Sequence, residues 1–180
     1  MKNAILALFA AAVTVSVTHG QSPAQPQPLP SPDIHYVATP NEVVDAMLTV
    51  AGVTSRDVVY DLGSGDGRIV IEAARKYGAR GVGIEIDSSL VKAARDKARK
   101  AGVDHLVTFS QADLFKTDLS PATVLTLYLS PSINLRLESK IKRELKPGAR
   151  VVSHRFPIGA WKADQELMVG RNRVLFWRVP

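Results

Sequence analysis

The chain has 180 residues, 46% of them hydrophobic and 22% charged, a balance that supports one ordinary globular core and excludes a collagen-like, coiled-coil or wholly disordered chain. It contains no cysteine, which removes disulfide frameworks, thiolate metal sites and cysteine nucleophiles from consideration. The formal net charge is +6, but the basic residues are spread along helical stretches rather than massed in one tract. Solubility is the ordinary reading, an acidic protein surface is a partner such a charge would attract, and no nucleic acid is expected.

Lys2 is followed by an apolar stretch from Ala4 to Val17 and then by Thr18, His19 and Gly20. A charged start, an apolar centre and a small closing residue make a secretory signal peptide over residues 1–20, with Gly20 the last residue removed. The stretch is shorter than the ~20 residues that cross a bilayer. The alternative is an uncleaved N-terminus that anchors the chain, so the expected location is exported, periplasmic or membrane-anchored. Membrane contact is expected only through this segment. Residues 21–32 hold five prolines and read as an extended linker, which leaves residues 33–180 for the folded domain.

Thr39-Pro40-Asn41-Glu42 reads as a helix start, with Thr39 as cap, Pro40 at the first helical position and Glu42 as the capping-box acid. Val43, Val44, Met47 and Leu48 follow at helical spacing, and this helix ends near Gly52. A buried strand over 57–62 runs into glycines, and a helix over 68–77 closes at Gly78. A second strand covers 81–86. The helix over 88–101 places Leu90, Val91, Ala94 and Ala98 on one face. Strands over 106–110 and 122–129 come next, then a helix over 132–145 stopped by Pro147-Gly148, then a strand over 150–154. Segments 167–169 and 173–179 form a closing hairpin around Gly170-Arg171-Asn172. Strands alternating with helices give a parallel sheet covered on both faces, an α/β doubly wound arrangement. The hairpin breaks that alternation.

The most informative segment is Asp61-Leu62-Gly63-Ser64-Gly65-Asp66-Gly67, where a strand runs into three glycines at alternate positions and a helix follows. Glycine lets the backbone turn tightly and approach a ligand, and the helix N-terminus adds free N–H groups. A G-x-G-x-x-G dinucleotide loop would need its third glycine at position 68, which is Arg68. Asp61 at the strand end would repel a pyrophosphate but suits a ligand with a cationic amino-acid end. S-adenosylmethionine is therefore the expected ligand, with a dinucleotide or an empty glycine turn as the competing readings. Glu85, twenty residues after Gly65, ends the second strand where a carboxylate can accept both ribose hydroxyls. Asp113 follows the third strand, where a side chain can bond the adenine amino group. Asp87 is the better helix cap of the two acids near position 86. Tyr36, Thr39, Gly63, Ser64, Gly65, Gly67, Ile86 and Leu114 complete the expected cofactor-binding set. No metal site is expected, since His35, His105 and His154 form no cluster with ligand spacing.

These residues resemble the class I S-adenosylmethionine-dependent methyltransferases: Asp61 to Gly67 is the D-x-G-x-G-x-G loop, Glu85 the strand-two acid and Asp113 the strand-three acid. The resemblance covers roughly residues 33–179 and implies a Rossmann-like seven-stranded sheet whose last strand runs antiparallel, in keeping with the terminal hairpin. A narrower similarity is to the FAM173-type protein-lysine N-methyltransferases and their bacterial relatives. It is carried by Tyr36-Val37-Ala38-Thr39-Pro40, by Tyr60 to Arg68, by Leu127-Tyr128-Leu129-Ser130-Pro131 and by Pro147 to His154. Two positions depart from the family pattern. Ala38 stands where a proline is common, and Ser130 where a leucine is common, the second in the loop expected to face the acceptor.

The resemblance implies methyl transfer to a protein lysine amine, with Tyr128, Ser130 and Pro131 after the fourth strand as the acceptor-side catalytic residues. Tyr128 would orient the amine through its hydroxyl or ring face, or else serve as a core tyrosine. His154 is expected to be structural or to support its neighbours rather than to act as a base, and Trp161 and Trp177 to be core or rim residues. The alternatives are a methyltransferase for a small molecule and a non-catalytic binding protein that keeps only the pocket. The sequence sets no oligomeric state.

Overall fold

A computed structural model describes residues 36–180. The expected signal peptide, the linker and the domain start at residue 33 lie outside the described residues. Eleven elements follow one another among the described residues: α1 (Asn41–Val50), β1 (Val58–Leu62), α2 (Arg68–Tyr77), β2 (Arg80–Glu85), α3 (Ser88–Lys100), β3 (Val107–Gln111), β4 (Val124–Leu127), α4 (Pro131–Glu144), β5 (Arg150–His154), β6 (Gln165–Val169) and β7 (Asn172–Arg178). Every expected helix and strand is present. The widest boundary difference is at β4, which forms only over Val124–Leu127 rather than 122–129.

The seven strands form one sheet in the order β3-β2-β1-β4-β5-β7-β6. β1 to β5 pair in parallel, while β7 is antiparallel to both of its neighbours. This is the Rossmann-like arrangement with an antiparallel final strand. The order reverses between β1 and β4, so the crevice at the carboxyl ends of these strands is where such a sheet binds ligands.

Alternation along each strand divides the apolar side chains between two cores. Val59, Val124 and Val152 join α1, α2 and α3 on one face. Tyr60, Leu125, Leu127 and Val151 join α4 and Trp177 on the other. Both faces are covered, which is why β1 and β4 are buried along almost their whole length instead of alternating with exposed residues. Trp177 is fully buried, and its indole N–H donates to the Trp161 carbonyl at 2.9 Å, so this pair belongs to the core and its edge.

Two helix starts differ from expectation. Pro40, not Thr39, occupies the N-cap of α1, and no side chain caps it. The Thr39 hydroxyl is drawn instead into a buried contact with His154, which lies 115 residues away and could not be seen locally. Ser130 is the N-cap of α4, its hydroxyl accepting from Ile133 N–H at 3.4 Å, with Pro131 at the first helical position. At α3 the expected cap is present: Asp87 accepts from Ser89 N–H at 2.7 Å.

Gly67, the N-cap of α2, has φ 77, and a Cβ there would lie 2.5 Å from the Phe109 ring. Gly67→Ala is therefore expected to cost about 2–4 kcal/mol, combining left-handed backbone strain with overpacking. Thermal melting checks this; an unchanged transition would show that the loop relaxes freely.

Candidate cofactor and acceptor site

At the carboxyl edge of the sheet a cavity of about 670 Å³ opens between the tips of β1 to β5 and the segment before α1. Twelve of the fourteen residues expected in the site line it: Tyr36, Thr39, Asp61, Gly63, Ser64, Glu85, Ile86, Asp113, Leu114, Tyr128, Ser130 and Pro131. Gly65 and Gly67 do not. A Cβ on Gly65 would lie 2.2 Å from Tyr36, and one on Gly67 would enter Phe109, so these two glycines make room for the protein's own aromatic rings. Gly63 faces the cavity, and there a Cβ would come within 2.8 Å of Leu129.

The three acids differ in how their charge is met. Glu85 is 8% exposed, and its Oε2 accepts from Gly65 N–H at 2.8 Å. Its Oε1 accepts from Ile86 N–H at 2.8 Å and Asp87 N–H at 3.0 Å. A carboxylate has about four acceptor positions. Three are thus committed to the backbone, which orients the carboxylate at the cavity wall. Asp113 accepts from Phe115 N–H at 2.9 Å, so it shapes its own turn while lining the cavity.

Asp61 is 3% exposed and receives one hydrogen bond, from the Thr126 hydroxyl at 2.7 Å. No cationic side chain among the described residues pairs with it. Burial pushes its carboxyl up to about 7, with Thr126 opposing and the charges of Glu85 and Asp66 adding to the rise. Asp57, at the other end of the same strand, makes the contrast. Burial would raise it too, but donors on Thr123, Arg150 and Thr54 hold it below the usual carboxylate range. Asp66 likewise outweighs its burial through Arg68 and Lys97 and sits well below that range. Of these three aspartates, Asp61 alone is left for a ligand to compensate.

Ser64 also lines the cavity, while its Oγ is buried toward Gly83 with no hydrogen-bond partner among the described residues. On the far side Tyr128 stacks on His154 with ring centroids 3.9 Å apart. His154 is 1% exposed, and burial holds its pKa below the usual value. In the neutral ring Nε2–H donates to Asn172 Oδ1 at 3.2 Å and Nδ1 accepts from the Thr39 hydroxyl at 3.3 Å. His154 therefore supports Tyr128 and does not line the cavity.

The sequence reading missed Asp66, Arg68, Arg136 and Phe156, which also line the cavity. Arg68 had a local signal, since it follows the glycine loop directly. Its guanidinium donates to Asp66 and to the Thr39 carbonyl at 2.8 Å, fastening the loop to the segment before α1. Phe156 follows a strand tip as Tyr128 does. Arg136 is brought in by the phase of α4, and its guanidinium lies 3.9 Å from the Phe115 ring centroid.

Residues 61–165 match the family model described as the ANTKMT methyltransferase domain. The chain belongs to this family. As an ANTKMT-type domain it is an S-adenosylmethionine-dependent methyltransferase, and the uncompensated Asp61 at the cavity wall fits a cofactor with a cationic amino-acid end. A protein-lysine N-methyltransferase of Saccharolobus islandicus is 42% identical over 139 residues, covering 77% of this chain and 86% of that protein. The adenine nucleotide translocase lysine N-methyltransferase of Mus musculus is 43% identical over 117 residues, 64% of this chain and 51% of that protein, so the ANTKMT-type chain spans about half the length of this relative. A crystal structure described as an RNA methyltransferase from Salinibacter ruber in complex with S-adenosyl-L-homocysteine is 56% identical. It has a TM-score of 0.79 and covers 80% of this chain and 94% of that one.

Proposed function

We propose that the domain transfers the methyl group of S-adenosylmethionine to a lysine ε-amine of a polypeptide. The observation that carries this is the division of one cavity into two halves. The tips of β1, β2 and β3 supply the three acids and the glycine loop. The tips of β4 and β5 supply Tyr128 and Phe156. Similarity to protein-lysine methyltransferases supports a polypeptide acceptor.

In this reading Asp61 takes the cationic amino-acid end, with the backbone of Gly63 beside it. Glu85 takes the ribose hydroxyls, Asp113 the adenine amino group, and Ile86 and Leu114 the faces of the base. Tyr36 and Thr39 close the cavity from the N-terminal side. When bound, the cofactor supplies a methyl group already activated on a positively charged sulfur. The chain's own task is then to position and desolvate the acceptor. Tyr128, held by His154, orients the amine, and an apolar wall favours its neutral form by withholding water.

Charges of both signs on the cavity wall, Asp66, Asp87 and Asp113 with Arg68 and Arg136, favour a polypeptide over a phosphate backbone. The description of the Salinibacter ruber structure favours RNA instead. Transfer of tritiated methyl into protein and into RNA from the same extract decides between them. Label is expected in protein, on lysine after hydrolysis; label in RNA alone would reverse the assignment. Lys2 and the apolar stretch that follows support export or membrane attachment as the setting of this activity.

A further inference from the structure

The chain leaves β5 through an unusual turn. Phe156 N–H donates to the His154 carbonyl at 2.9 Å, which closes a three-residue turn with Arg155 at its centre, φ 73. Arg155 is the one non-glycine with a left-handed φ among the described residues. Turns of this hand strain an L-residue and persist only where the surroundings enforce them.

Here the enforcement comes from two fully buried polar side chains, Ser153 and Asn134. The Ser153 hydroxyl donates to the Phe156 carbonyl at 2.7 Å. Asn134 Nδ2 donates to the carbonyls of Phe156 at 3.3 Å and Pro157 at 3.2 Å. Arg155 N–H donates to the Arg173 carbonyl on β7 at 2.6 Å. α4, β5 and β7 thus converge on one strained turn. Its consequence is that Phe156 lines the cavity while the exposed Arg155 guanidinium lies 5.5 Å from its ring centroid. A strand can end without two buried polar side chains, so the arrangement is explained by where it puts that ring.

We propose that Phe156, held through this turn by Asn134 and Ser153, is a specificity-determining residue of the acceptor half. With Tyr128 it forms an aromatic wall that receives an amine on an apolar stem and keeps water from it. This rests on the methyl-transfer reading above and adds to it the residue that selects the acceptor. Cations and apolar stems both favour ring faces, which is the chemistry of an amine on a methylene chain.

The test uses the full chain with Phe156→Ala and Phe156→Tyr. Calorimetry measures S-adenosylhomocysteine affinity. Tritiated methyl transfer is followed over a dilution series of one cell extract, into its protein and small-molecule fractions. Both variants are expected to bind S-adenosylhomocysteine within twofold of the wild type. The half-saturating extract concentration is expected to rise at least tenfold in Phe156→Ala and to return toward the wild-type value in Phe156→Tyr. Asn134→Ala, acting through the turn, is expected to shift it the same way with cofactor affinity kept, melting curves confirming that the variant is folded. A Phe156→Ala enzyme with the wild-type extract dependence, or one whose loss lies in cofactor affinity, overturns the proposal. Label confined to the small-molecule fraction removes the lysine reading instead, and the Phe156 comparison is then read in that fraction. No label in either fraction, with S-adenosylhomocysteine bound, removes both.

Discussion

Asp61→Asn is expected to raise the melting temperature of the ligand-free protein at pH 8 and, in the same molecule, to remove cofactor binding. Burial lifts the Asp61 carboxyl to about 7, against an ordinary value near 3.8. Because the folded pKa is raised for an acid, the folded state keeps a proton that the unfolded chain gives up. Stability from this group is therefore full below about pH 4 and is lost as pH rises through about 7. By pH 8 the buried charge costs about 4 kcal/mol. Asparagine removes that cost and keeps the Thr126 bond, but leaves an amide N–H without an acceptor, which takes back about 2 kcal/mol. The net is a gain of about 2 kcal/mol, roughly 4–8 °C.

Binding moves the other way. A cationic ligand end requires the ionised carboxylate, and removing one partner of a buried pair costs about 3 kcal/mol or more, at least a hundredfold in Kd. The wild-type Kd is expected to weaken as pH falls below about 7, since the proton must leave first, and any residual binding by Asp61→Asn is expected to be flat with pH. Calorimetry at pH 6, 7 and 8 with parallel melts measures both. An Asp61→Asn protein that binds as the wild type does would mean the cationic end lies elsewhere.

Glu85→Gln carries the second large effect, for a different reason. The carboxylate accepts three backbone N–H groups, including that of Gly65 in the glycine loop. An amide must turn its NH₂ toward either Gly65 N–H or the Ile86–Asp87 pair, so at least one charge-assisted bond becomes a donor facing a donor. The expected loss is about 2–3 kcal/mol, roughly 4–12 °C in melting temperature, together with at least a tenfold weaker S-adenosylhomocysteine affinity. Asp113→Asn is the control. Asp113 Oδ1 accepts only Phe115 N–H in its own turn, so stability changes little there while affinity falls. Equal melting shifts for the two variants would contradict the organising role of Glu85.

The two acids show how different burial problems are solved a short way apart on one sheet edge. Glu85 is met by backbone dipoles, because a strand tip followed by a turn leaves several N–H groups converging. Asp61 sits inside the strand, where its neighbours' backbone groups are already spent on the ladder. Thr126, its register partner on β4, is the one donor the sheet can offer. The charge that remains is what makes Asp61 a receptor and a liability at once, the usual exchange between stability and function.

Local sequence determined a large share of this protein. The glycine loop, the acids at the next two strand tips, the capping Asp87 and the terminal hairpin are each encoded within a short local stretch, by backbone freedom, side-chain chemistry and period. That is why the fold class, most cofactor-side residues and the antiparallel end of the sheet were legible without coordinates. What only the tertiary structure decided involves partners far apart in the chain. Thr39 abandons its helix for His154, Gly65 and Gly67 yield their space to Tyr36 and Phe109, and Asn134 reaches across from α4 to hold the turn that presents Phe156. The physical reason is common to all three. A buried polar group or a close-packed ring is satisfied by whatever the folded interior brings near it, and sequence spacing carries no record of that neighbour.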